Sequence, residues 1–287
     1  MTKKILITGA NSYIGTSFEE WMRRYGDRYI VDTVATENGE WKGKDFSGYD
    51  TVFHVAGIAH VKETRENEHL YYEVNRDLAF EIARKAKWQD VRQFIFLSSM
   101  SVYGMDTGAI DKDTVPAPKT HYGKSKLEGE GYISSLSSKN FKVAIVRPPM
   151  VYGRGCKGNY AALSKFAKKT PVFPQLENKR SMIYIDCFCG CIKHLIDGQE
   201  SGLFFPQNSE YICTSDMVRQ IARCSGRRIL FPRLSGPLVR LLRFPVAQKL
   251  FGDLYYDKGM PGGTAQCCDV DFEESVRLSE ARGAEGA

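Results

Sequence analysis

The feature that most narrows the possible folds lies near the start of the chain. Lys4 to Thr8 (KILIT) is an apolar run, followed at once by a turn with glycines at Gly9 and Gly15, and then by a helical stretch. A run without polar alternation is what a strand buried on both faces shows. In Tyr13 to Tyr25, Ile14, Phe18, Trp21 and Met22 fall on one helical face. The same alternation recurs. Tyr29 to Val34, Thr51 to Val55, Phe94 to Ser98 and Lys142 to Arg147 read as strands. Leu70 to Lys87 reads as a helix, with Val74, Leu78, Ile82 and Ala86 at four-residue spacing, and Tyr122 to Leu136 reads as another. Repeated strand–helix–strand units pair in parallel through right-handed crossovers. The expected fold is therefore α/β, a doubly wound parallel sheet whose ligand crevice lies beyond the carboxyl ends of its strands.

After Arg147 this pattern stops. Pro148, Pro149, Pro171, Pro174, Pro206, Pro232, Pro237, Pro245 and Pro261 are far denser than the prolines before them, and shorter elements follow. Residues 1–147 are read as a nucleotide-binding domain. Residues 148–287 are read mainly as a smaller C-terminal substrate lobe, interleaved with the last elements of the sheet.

Composition excludes several classes. With 43% hydrophobic and 26% charged residues the chain is an ordinary globular one. Its net charge is +6, but the basic residues are spread out, so no nucleic-acid-binding stripe is read. No apolar stretch is long enough to span a bilayer. MTKK leads into a strand-like run rather than a signal-peptide core, and a cytoplasmic location is expected. Leu234 to Phe251 is basic and apolar, with Arg240, Arg243 and Lys249, which raises a membrane-surface reading. Pro237 and Pro245 would break a long amphipathic helix there, so packing within the lobe is favoured. Cys187, Cys189 and Cys191 alternate without C-x-x-C spacing. With Cys156, Cys213, Cys224, Cys267 and Cys268 they are expected to be reduced thiols, and no metal site is read.

Three constellations carry chemistry. The turn Thr8 to Gly15 (TGANSYIG) stands between a strand and a helix, the context in which a helix N-terminus meets a pyrophosphate. A third glycine, usual in dinucleotide turns, is replaced by Ser12, a small residue whose hydroxyl is itself able to bond a phosphate oxygen. Tyr122 and Lys126, four apart, share a helical face, where an ammonium stabilises a phenolate. Leu97 to Gly104 (LSSMSVYG) places hydroxyls at the carboxyl edge of a buried strand.

Together, and in this order, these segments resemble the extended short-chain dehydrogenase/reductase family of nucleotide-sugar epimerases and dehydratases. The resemblance covers nearly the whole chain and includes His54-Val55-Ala56-Gly57, Asn75, the Arg147 to Gly153 segment (RPPMVYG) and Arg180 to Asp186 (RSMIYID). It implies a Rossmann-type sheet and NAD as cofactor, with NADP as the alternative. The implied catalytic residues are Ser99, Tyr122 and Lys126. The implied cofactor contacts are Gly9, Asn11, Ser12, Tyr13, Ile14, Gly15, Val55, Ala56, Gly57, Asn75, Tyr122, Lys126 and Pro148. Asp32 lies near the offset of a ribose-binding acid, Glu37 ends the second strand, and Asp45-Phe46 is placed at the adenine. Ser99, Ser101, Asn159 and Arg180 are the implied substrate contacts, with Lys157 beside them as a further cation for a pyrophosphate.

Dehydratases of the family carry an acidic pair directly after the catalytic hydroxyl. Met100 and Ser101 stand there in this chain, which disfavours elimination of water. The expected activity is 4-epimerisation of a nucleotide sugar, a UDP-hexose or UDP-N-acetylhexosamine, by transient oxidation at C4. A 4-ketoreductase using the same residues is the alternative, and a non-catalytic dinucleotide-binding regulator is the alternative of another class. A homodimer formed through the helix of Tyr122 and Lys126 is expected from the resemblance.

Overall fold

The computed structural model describes residues 2–59, 61–233, 251–262 and 268–281. In chain order, β1 (Lys3–Thr8) leads into α1 (Tyr13–Met22), and β2 (Tyr29–Val34) into the short α2 (Glu40–Gly43) and β3 (Thr51–His54). Then α3 (Glu68–Tyr72), a π-helical turn (Glu73–Leu78) and α4 (Ala79–Trp88) run on from one another to β4 (Gln93–Leu97). A 3₁₀ turn (Met100–Tyr103) and β5 (Gly108–Ile110) precede α5 (His121–Ser134) and β6 (Lys142–Val146). There follow β7 (Met150–Tyr152), α6 (Asn159–Ala167), β8 (Met182–Tyr184), α7 (Ile185–Gly198) and β9 (Gly202–Phe204). Last come α8 (Thr214–Cys224), β10 (Leu254–Tyr256) and α9 (Phe272–Glu280).

The main sheet has the order β2-β1-β3-β4-β6-β9, parallel throughout. This is the doubly wound fold that the alternation predicts. The strand order reverses between β1 and β3, so the crevice opens beside Gly9 and the residues after His54. The apolar runs are explained by burial on both faces. Ile5, Ile7 and Phe53 join Phe18 and Trp21 of α1 and Phe188 and Ile192 of α7. Leu6, Val52, Phe94 and Phe96 pack on the other side against Ile82, Ala86 and Ile133. Each such side chain, wholly withdrawn from water, contributes about 1.5–3 kcal/mol. β9 is drawn from beyond residue 148, and β7–β8 and β10–β5 form two small ribbons beside the main sheet.

Two expectations need correction. The four-residue spacing points Val74 inward, yet Asn75 is completely buried and Val74 only half so. The π-helical turn inserts a residue into the helical repeat, and such turns concentrate at functional sites. The second concerns the thiols. Cys187 and Cys268 form a disulfide, although 81 residues separate them. Local spacing carries no information about Cys268, which the chain returns to the start of α7 just before α9. Cys156, Cys189, Cys213 and Cys224 are thiols.

Among the described residues no helix is long and apolar enough to cross a membrane. The basic apolar stretch from Leu234 lies outside the described residues, apart from Phe251.

Candidate active site

The turn after β1 is fixed by backbone hydrogen bonds to both neighbouring strands. The N–H groups of Gly9 and Ala10 donate to the Val34 carbonyl at 3.0 and 3.2 Å. Those of Val55 and Ala56 donate to the Thr8 carbonyl, both at 3.0 Å. Gly9 holds φ +112°, and a Cβ there would stand 2.7 Å from the Ala56 nitrogen, so only glycine fits. Ser12 caps α1, its Oγ accepting from the Gly15 N–H at 3.1 Å. Its own hydroxyl proton remains able to donate, and the first-turn amides of α1, Tyr13 and Ile14 among them, would offer an anion a favourable dipole. Asn11 is exposed at φ 65°. The Tyr13 ring leaves the turn toward Cys156, Tyr184 and Cys189, where burial pushes its phenol up.

The second group gathers at the end of β4. Ser99 Oγ lies 3.1 Å from Ser101 Oγ, accepts from the Ser101 N–H at 3.1 Å, and stands near enough to the Tyr122 phenol to lower its pKa. Helix α5 is held against this turn from three sides. Thr120 Oγ1 accepts from the Gly123 N–H at 3.1 Å. The Glu63 carboxylate accepts from the N–H groups of His121 and Tyr122 at 3.1 and 3.0 Å. Tyr72 Oη and Glu68 hold the two ring nitrogens of His121 at 3.1 and 3.2 Å. Burial raises the Tyr122 phenol, and the nearby Ser99 hydroxyl opposes it.

One turn along α5, Lys126 is 3% exposed. Its Nζ donates to the Leu97 carbonyl at 2.9 Å and lies 4.8 Å from the centre of the Phe96 ring. Burial pushes this ammonium down to about 7, with Glu130 acting the other way. A Cβ on Gly57 would stand 2.9 Å from Asn75 Oδ1 and 3.0 Å from Lys126 Nζ. The bare glycine thus leaves a gap flanked by an amide and an ammonium. Asn75 also fixes the loop after β3, accepting from the Ile58 N–H at 2.9 Å and donating to the Ile58 carbonyl at 3.1 Å. His54 lies behind it, Nδ1 2.7 Å from Thr8 Oγ1; burial pushes it down to about 3, so it is neutral.

Sequence reasoning assigned no role to Glu130, Glu63 or Arg147. Glu130 receives Arg147 Nε at 2.9 Å and Nη2 at 2.6 Å, and the Ser98 hydroxyl as well. Arg147 Nη1 donates to Tyr103 Oη at 2.8 Å. The spacing Tyr122, Lys126, Glu130 is a readable signal for the first of these, since three residues four apart share one face. Glu63 has no such signal, because a loop brings it to α5.

The other predicted residues are arranged more loosely. Asp32 pairs with Leu6 two residues before the end of β2, and its carboxylate accepts from Tyr49 Oη at 2.5 Å. Glu37 is exposed beyond the strand. Asp45 accepts from the backbone and hydroxyl of Ser47, both at 3.0 Å, while Phe46 is wholly buried in the core. The backbone of Pro148 meets the turn after β4, its carbonyl accepting from the Met100 N–H at 2.9 Å. Asn159 and Lys157 are exposed at the start of α6. Arg180 is half-buried on a different element, donating to the Gly252 carbonyl at 2.9 Å.

A dinucleotide suits this arrangement. The glycine turn offers amides to a pyrophosphate, and the Gly57 gap faces the Asn75 amide oxygen and the Lys126 ammonium, an acceptor and a donor matched to ribose hydroxyls. Residues 5–203 match the NAD dependent epimerase/dehydratase family. The UDP-glucose 4-epimerase of Vibrio cholerae is 32% identical over 249 residues, 77% of this chain and 76% of that protein. The N-acetyl-alpha-D-glucosaminyl-diphospho-ditrans,octacis-undecaprenol 4-epimerase of Escherichia coli O157:H7 is 24% identical over 276 residues, 89% of this chain and 83% of that protein. The fold is shared with UDP-glucuronic acid 4-epimerase from Bacillus cereus in complex with NAD, at TM-score 0.72, 17% identity and coverage of 96% and 97% of the two chains. It is shared too with a dTDP-4-dehydrorhamnose reductase from Clostridium acetobutylicum, at TM-score 0.75, 19% identity and coverage of 96% and 98%. By the match across its first two thirds and by its likeness to the Vibrio protein, the chain belongs to the NAD-dependent epimerase/dehydratase family.

Proposed function

We propose that the chain is a nucleotide-sugar 4-epimerase acting on a UDP-hexose or UDP-N-acetylhexosamine. The observation that carries this reading is the Ser99–Tyr122–Lys126 set beside Met100 and Ser101, which supply no carboxylate for elimination. Tyr122 takes the proton of the sugar 4-hydroxyl as general base. Ser99 hydrogen-bonds the same oxygen and passes the proton on. The Lys126 ammonium favours the phenolate by charge and bonds the nicotinamide ribose. NAD, when bound, supplies the reversible oxidation at C4. Gly9, Ser12 and the first turn of α1 hold its pyrophosphate, and Gly57, Asn75 and Lys126 its nicotinamide ribose. Arg180, desolvated with a single carbonyl on Nη1, suits the substrate diphosphate. Asn159 and Lys157 extend that grip.

Purification without added nucleotide, followed by analysis of the denatured extract, tests the reading. Retained NAD and interconversion of a C4 sugar pair without added cofactor support it. An empty site that binds NADPH reversibly and reduces a 4-keto sugar replaces it by the ketoreductase, whose fold the rhamnose reductase shares. We further place the enzyme in the cytoplasm, as a homodimer, in the synthesis of polysaccharide precursors. Sedimentation of the purified protein checks the dimer.

A further inference from the structure

Lys126 is buried, and the one hydrogen bond from its ammonium described above goes to the Leu97 carbonyl. An ammonium so placed sheds its proton unless a negative charge stands near. Glu130, also buried, is the residue one helical turn beyond it on the same face of α5. Its position is fixed from three other elements. Arg147 at the end of β6 forks onto both carboxylate oxygens, Ser98 after β4 donates its hydroxyl, and Tyr103 of the 3₁₀ turn holds the far nitrogen of Arg147. Tyr256 of β10 closes the cage by donating to the Arg147 carbonyl at 3.0 Å. Ser98 is the residue next to Ser99, and Leu97, whose carbonyl accepts a hydrogen bond from Lys126 Nζ, is the residue before Ser98.

We propose that Glu130 is a positioning residue: its carboxylate makes the Lys126 ammonium hold its proton to a higher pH than burial alone would allow and, through Ser98, fixes the strand end that carries Ser99. The charge it supplies is not spent wholly on Arg147, because the guanidinium approaches from β6 while Lys126 lies along α5. The charged and titratable groups around the pair are Arg147 on β6, Tyr103 on the 3₁₀ turn, Tyr256 on β10, Tyr122 on α5 and the neutral His54 on β3. Of these, Arg147 alone carries a fixed charge, and it opposes protonation of Lys126. Glu130 therefore acts against both burial and Arg147. The inference deepens the role given to Lys126 in the proposed reaction, but it concerns a proton on this chain and is measurable without substrate.

The test is the titration of Lys126 in the cofactor-free protein, followed by NMR of lysine side chains correlated through Nζ and assigned with Lys126→Met. In Glu130→Gln the Lys126 midpoint should fall by about one pH unit or more. Glu130→Asp should restore part of the shift. An unchanged midpoint in a folded Glu130→Gln protein overturns the proposal and leaves Glu130 a structural residue only. Should that variant fail to fold, Glu130→Gln combined with Arg147→Met removes both buried charges, a change that folds often tolerate. A midpoint in the double variant below that of Arg147→Met alone, which differs from it only at Glu130, supports the proposal, and one at or above it overturns it.

Discussion

The two ends of the cofactor crevice are built differently. At the proposed catalytic end, the segments that carry Ser99, Tyr122 and Lys126 are held by other elements. Asn75 braces the loop after β3, Glu63 and Thr120 cap α5, and Glu130 with Arg147 ties β4, α5 and β6 together. At the adenosine end, the acids bond to their own surroundings. Asp32 is engaged by Tyr49, and Asp45 closes a turn on Ser47. Proton transfer tolerates little error in distance, so its residues are fixed from several elements. On the proposed reading the cofactor is held largely by backbone amides of the glycine turn, so single side chains there should matter less.

The first way to break this comparison is Tyr122→Phe. If Tyr122 is the base, turnover should fall by about 10³-fold. NAD binding, followed by fluorescence titration, should change little. Near-full activity would remove Tyr122 from the chemistry and with it the distinction between the two ends.

A substitution at the turn should act on the fold as well as on binding. In Gly9→Ala the new Cβ meets the Ala56 nitrogen at 2.7 Å, and φ +112° is strained for alanine. A loss of about 2 kcal/mol is expected, seen as a lower Tm with weaker NAD binding. A variant as stable as the parent would mean that the turn relaxes freely.

Lys126 gives a pH signature. Its ammonium is lowered to about 7 in the folded chain, against an ordinary value of 10.5. Between those values the unfolded chain holds a proton that the folded chain has lost. Stability of the cofactor-free protein should therefore rise with pH through this window, by up to about 1.4 kcal/mol per unit. Below pH 7 the full cost of burying the charge is present. Lys126→Met should lack that slope, which thermal melts from pH 6.5 to 9.5 would show. Parallel slopes for the two proteins would place the Lys126 charge in water.

Much of this was legible in the sequence because it depends on local pattern. The apolar runs gave the strands of the main sheet up to β6, since burial on both faces removes polar alternation. The glycine turn and the Tyr122–Lys126 pair were readable because a strand-to-helix corner and a four-residue spacing are local geometry. β9 was not readable as a strand: Gly202–Phe204 is three residues long and owes its place to β6. Glu63 and the Cys187–Cys268 disulfide were hidden for the same reason, as tertiary approach brings each to its partner. The π-helical turn was hidden by the four-residue spacing itself, which continues through Val74 as though the repeat were regular.

Asp32 is the sharpest small test of the looser end. Strand alternation places it on the same side of β2 as Val34, which is buried against Leu6, Trp41 and Phe46. It also stops two residues short of the strand end, roughly 7 Å before the edge where the proposed cofactor's adenosine ribose would rest. The Tyr49 hydroxyl then takes its carboxylate at 2.5 Å. A carboxylate that bonds both ribose hydroxyls is expected to favour NAD strongly, since it repels a 2′-phosphate. If Asp32 is instead committed to Tyr49, Asp32→Asn should alter the ratio of NAD to NADP affinity by less than about threefold, or under 1 kcal/mol. Tyr49→Phe frees the carboxylate, and should move the ratio toward NAD if the side chain then turns to the crevice. A tenfold or larger loss of NAD preference in Asp32→Asn would show that the acid reaches the ribose despite Tyr49, and the adenosine end would prove as closely specified as the catalytic one.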